Sequence, residues 1–128
     1  MSYYFTTTVP KPFEETIDLV TDALKQEGFG VLTNINIRET FKNKLDIEFR
    51  NYAILGACNP GFAHKALQSE DKIGTMLPCN VIVQEHDNGQ VEVSAIDPIT
   101  SMQAVDNENL GDLAAEVQQM LKRVIERL

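Results

Sequence analysis

The sequence predicts an α+β fold: a single two-layer domain over residues 1–128, with a mostly antiparallel sheet and helices packed on one face. Two observations carry that prediction. Runs rich in β-branched and aromatic residues alternate with amphipathic stripes in the order β-α-β-β-α-β-β-α, and one turn joins two apolar strands as a hairpin. A content of 43% hydrophobic and 23% charged residues suits one soluble domain, and no linker, repeat or low-complexity tract divides the chain.

Residues 3–9 (YYFTTTV) read as a strand. Pro12 opens a helix at the first-turn position proline tolerates, with Glu14 and Glu15 at the positive end of its dipole. Phe13, Ile17, Val20 and Leu24 recur at steps of three and four, and Gly28 supplies the stop. Residues 30–37 form a second strand, and this first β-α-β unit is open to parallel pairing through a right-handed crossover. Residues 39–45 suit a short helical turn, and an extended stretch runs from 47 to 57. Asn59 then acts as an N-cap with Pro60 at N1, beginning a helix through Gln68. Residues 81–86 and 91–96 are strands. The last helix, residues 107–128, sets Leu110, Leu113, Val117, Leu121, Val124 and Leu128 on one stripe.

Register decides what the hairpin places together. A two-residue Asn88-Gly89 turn would oppose Glu85 to Glu92 and leave the apolar residues unaligned. A three-residue loop, Asp87-Asn88-Gly89, with Gly89 left-handed, pairs Val83 with Val93 and Val81 with Ala95. Extended one step further, that register sets Cys79 against Asp97, although Pro78 and Pro98 flank the pair. A carboxylate there would raise the thiol's pKa.

The charge excludes several functions. Nineteen acidic against 11 basic residues give −8, and the densest basic group (Arg38, Lys42, Lys44, Arg50) is interrupted by Glu39, Asp46 and Glu48. Neither nucleic acid nor an anionic membrane is expected as a partner. No apolar run nears the ~20 residues of a membrane span, and the start lacks a secretory pattern, which points to the cytoplasm. Elbow, zincin and phosphate-loop motifs are absent, and the sequence leaves any cofactor unknown.

The chain's two cysteines are the remaining chemistry. They occur as Cys58-Asn59-Pro60 and Pro78-Cys79-Asn80, not as C-x-x-C. Cys58 precedes a helix start, where backbone N–H groups stabilise a thiolate, yet the same position commonly packs as a small apolar side chain. His64 lies one turn into that helix, and Cys58, Cys79, His64 and Asp97 are ligand types acceptable to zinc, at irregular spacing. Asn59 and Asn80 either satisfy backbone groups or orient a ligand.

The chain resembles the family known as domain of unknown function 302 over nearly its whole length. The resemblance rests on Phe29-Gly30, Lys44, the run Tyr52–Pro60 (YAILGACNP), Ala63, Ala66, Ile73-Gly74, Leu77-Pro78-Cys79-Asn80-Val81 and Asp97-Pro98. It implies a small α+β protein able to form homodimers and does not imply an activity. The leading expectation is a small-molecule ligand-binding or redox module. Its pocket lies where the third strand meets the middle helix, with Cys58 as thiolate, Cys79 as its partner, and Asn59 and Asp97 as positioning groups. The rivals are an assembly module with structural cysteines and a soft-metal-binding protein.

Overall fold

The computed structural model describes residues 2–128. Its strands are β1 (Tyr4–Val9), β2 (Gly30–Asn36), β3 (Tyr52–Cys58), β4 (Cys79–Glu85) and β5 (Val91–Ile96). Its helices are α1 (Phe13–Gln26), α2 (Ile37–Leu45), α3 (Pro60–Ser69), α4 (Pro98–Ser101) and α5 (Glu108–Glu126), with a 3-10 turn over Asp71–Met76. The α+β architecture and the order of its main elements are those the sequence predicts.

The strands lie in the order β1-β5-β4-β3-β2, every neighbouring pair antiparallel. Parallel pairing of the first β-α-β unit is therefore corrected. β1 and β2 stand at opposite edges, and β1 pairs with β5 from Tyr4↔Ile96 to Val9↔Val91. The three later strands fill the middle of the sheet through local antiparallel connections, so α1 carries the chain across its whole width, packing on β4 on the way to β2.

The β4–β5 hairpin takes the expected register, Val81↔Ala95 and Val83↔Val93. Gly89 is left-handed at φ 85°, its N–H donating to the His86 carbonyl at 2.9 Å. Side chains alternate across the sheet. Ala53, Leu55, Val81, Val83 and Val93 are buried with Val20 and Leu24 of α1 and Leu121 and Val124 of α5. The opposite face carries Tyr4, Thr6, Ile54, Ile82 and Ile35, and remains partly exposed at its strand centres. α2 reaches a corner of that face through aromatic contacts, Phe41 edge-on to Phe49 at 5.1 Å and Phe49 tilted against Tyr52 at 6.3 Å.

Some boundaries differ from the sequence reading. Pro12 stands outside α1 as its N-cap, and the expected turn at 39–45 is a full helix capped by the Asn36 side chain. The third strand begins at Tyr52 because residues 46–50 carry no ladder pairing. Arg123 lies in the last turn of α5 and Arg127 at its C-cap, where the helix dipole favours a cation. They also clamp Glu27 at the end of α1, donating at 2.8 and 2.7 Å, and this holds its carboxyl below the usual carboxylate range.

Candidate functional site

Where β3 ends and β4 begins, the sheet gives way to a cavity of about 390 Å³. Ala57 pairs with Cys79 at this end of the ladder, and Cys58 is the last residue of β3. Asn59 caps α3, its Oδ1 accepting from the Phe62 N–H at 3.4 Å, and Pro60 follows at N1 as expected. Extended backbone at the cap turns the chain sharply from strand into helix, which leaves Cys58, Asn59 and Phe62 on the cavity wall. Cys79 faces the same cavity from β4.

Gly56 shapes this corner. A Cβ there would collide with the Thr33 hydroxyl and lie 2.8 Å from the Pro78 ring, so glycine alone lets β2 and the residue before Cys79 close over β3. Thr33 and Pro78 both line the cavity. The far wall comes from α3, the 3-10 turn, α4 and the first half of α5: Ala66, Leu77, Met102, Leu110 and Leu113. One polar tie holds these segments together. Asn107 accepts from the Asn109 N–H to cap α5 and donates from Nδ2 to the Ser69 carbonyl at 3.0 Å.

The structure thus brings together Cys58, Asn59 and Cys79, and separates them from the other candidates. His64 is exposed on α3 and does not line the cavity. Asn80 points to the opposite face of the sheet, beside Ile82 and Tyr52. The predicted pairing of Cys79 with Asp97 does not form, because the β4–β5 ladder ends at Val81↔Ala95. Asp97 is drawn away in two directions. Its backbone N–H donates to the Tyr3 carbonyl at 2.8 Å, and its carboxylate accepts from the Ile99 N–H at 3.0 Å and from Gln118 Nε2 at 3.1 Å. Among the described residues, no three His, Cys, Asp or Glu side chains form a metal-holding group.

Both thiols are free. Burial, with the neighbouring Cys58 as a lesser cause, pushes the Cys79 thiol up from 9.0 to about 11. The direction matches the sequence expectation, but the cause is the apolar wall and not a carboxylate. A pKa of about 11 in place of 9.0 leaves thiolate about 100-fold scarcer at pH 8. Iodoacetamide should therefore alkylate Cys79 about 100-fold more slowly in the folded protein than in the denatured chain at pH 8, read by peptide mass spectrometry. Equal rates would contradict the buried, protonated thiol.

The sequence reading missed the cavity's far wall. Leu110, Leu113 and Val117 carried the right signal as an apolar stripe, but a stripe does not say whether it meets another side chain or a void. The 3-10 turn and α4 have six and four residues, too few for any periodicity to register.

Fold and site together define a two-layer α+β protein with an apolar pocket at one end of its sheet. The sequence pattern of the family described as domain of unknown function DUF302 matches residues 5–128, and the chain belongs to that family. It is also similar to the crystal structure of an uncharacterized conserved protein DUF302 from Bacillus stearothermophilus, at 28% identity and a TM-score of 0.91, covering 99% of this chain and 98% of that one. No curated protein matches the chain. No described helix is long and apolar enough to cross a membrane.

Proposed function

We propose that the protein binds a compact apolar small molecule in the cavity walled by Cys58, Asn59 and Cys79. One observation carries this reading: a space of about 390 Å³ bounded by twenty residues, none of them charged. Ligand pockets of ~300–1,000 Å³ are mostly apolar with a few polar groups. The Cys79 thiol stays protonated at neutral pH and serves as wall. Cys58, half-buried, is the thiol accessible to a ligand or an oxidant. Titration with the neutral fluorophore N-phenyl-1-naphthylamine should give saturable binding at one site per chain, lost when Ala114 is replaced by phenylalanine. Absence of saturable binding by the unaltered protein would refute the reading.

A second reading concerns assembly, and the open sheet face favours it. Ile82 sits near the middle of the central strand, flanked by Ile54 and Ile35 on one side and by Ser94 and Thr6 on the other, with Ile96 and Tyr4 on the next row of the same face. Glu92 is the one charged residue among the outward-facing positions of this ladder. Two copies of a −8 chain repel least across such a face, and a two-fold axis through it makes the contact self-complementary. The protein is accordingly a homodimer joined face to face. Sedimentation equilibrium should give a dimer that Ile82→Lys converts to a folded monomer by circular dichroism. A monomeric parent, or a variant that still dimerises, would rule the contact out.

A further inference from the structure

The cavity is a seam between two separate apolar clusters. The main core supplies Phe29, Ala57 and Val117 to its lining, and a smaller cluster centred on Ala66, Ile73 and Leu110 supplies the opposite wall. Apart from the Thr33 hydroxyl and the two thiols, the polar side chains at the seam are engaged elsewhere. At the start of α3, the Phe62 N–H donates to Asn59 Oδ1 and the Ala63 N–H to the Asn59 carbonyl at 2.9 Å. Asn59 Nδ2 lies against Met120 Sδ at 4.0 Å and beside Gly28, on the other side of the cap. The Asp97 carboxylate next to Pro98 is taken by Ile99 and Gln118. No lysine, arginine or histidine lines the space.

A ligand carrying a charge into the seam would lose its hydration and gain neither a counter-ion nor an oriented N–H in exchange. The wall already disfavours an anion on one of its own residues, since burial there keeps the Cys79 thiol protonated well above neutral pH. We infer that the cavity selects uncharged ligands of hydrocarbon character, discriminating against a carboxylate on the same carbon skeleton, and that such a ligand acts as the shared core between the two clusters. This rests on the ligand-binding reading of the same cavity.

The test uses the intact protein loaded with N-phenyl-1-naphthylamine at pH 8, displaced by 1-decanol or by decanoate. The two have the same ten-carbon length and differ in charge. The alcohol should displace the probe at a concentration at least tenfold lower than the carboxylate. A ratio below tenfold, including failure of both to compete, overturns the selection for uncharged ligands while leaving the binding reading intact. Failure of the probe itself to bind removes both.

Discussion

Replacing Ala114 by phenylalanine will abolish binding of an apolar probe while keeping or raising the melting temperature. Ala114 is 5% exposed on α5 and its methyl group looks into the cavity. An aromatic ring at this position enters vacant space, so the overpacking cost of ~1–3 kcal/mol that a filled core would impose is offset by new buried contacts of roughly 25 cal/mol per Å². Ala114→Leu, which fills less, should weaken binding by about tenfold or less and stabilise by about 0.5–2 kcal/mol, as cavity-filling substitutions commonly do. Probe titration and thermal melts on the same preparations check both halves. A filled variant that binds normally would place the ligand elsewhere. One that melts well below the parent would mean the space is already occupied by tight packing.

The second large effect separates two leucines on one stripe. Leu121→Ala should cost about 3–5 kcal/mol by urea denaturation, since Leu121 is fully buried in the main core that the sheet, α1 and α5 share. Leu113→Ala, two turns earlier on the same stripe, should cost no more than about 1–2 kcal/mol. Leu113 is half-buried and already borders a void, so its removal forfeits fewer contacts. Equal costs would mean that the stripe packs uniformly along its length and that the seam is not a separate space.

That contrast also locates what could be read from the residues alone. Local rules sufficed wherever one interaction dominates. The Asn59-Pro60 helix start, the Gly89 loop and the Val83↔Val93 register follow from capping, left-handed glycine and alternation respectively. The position of β1 did not, because Tyr4 to Val9 carries nothing that names β5 over β2 as its neighbour. The Cys79–Asp97 pairing failed for a related reason. A ladder register extends only while both strands stay extended, and Pro98 begins α4 one residue past Asp97. Cys58 and Cys79 line one cavity, yet Leu110 and Leu113, which complete their surroundings, look in the sequence like ordinary core.

The location of β1 has a consequence for how the protein comes into being. The chain is synthesised from its N-terminus, so the first strand made is the one whose neighbour, β5, emerges about ninety residues later (Tyr4 pairs with Ile96). Until then the ribosome holds an edge strand with open backbone groups and nothing to zip against. Contacts this distant in sequence are slow to form, so of the five strands β1 waits longest for its partner.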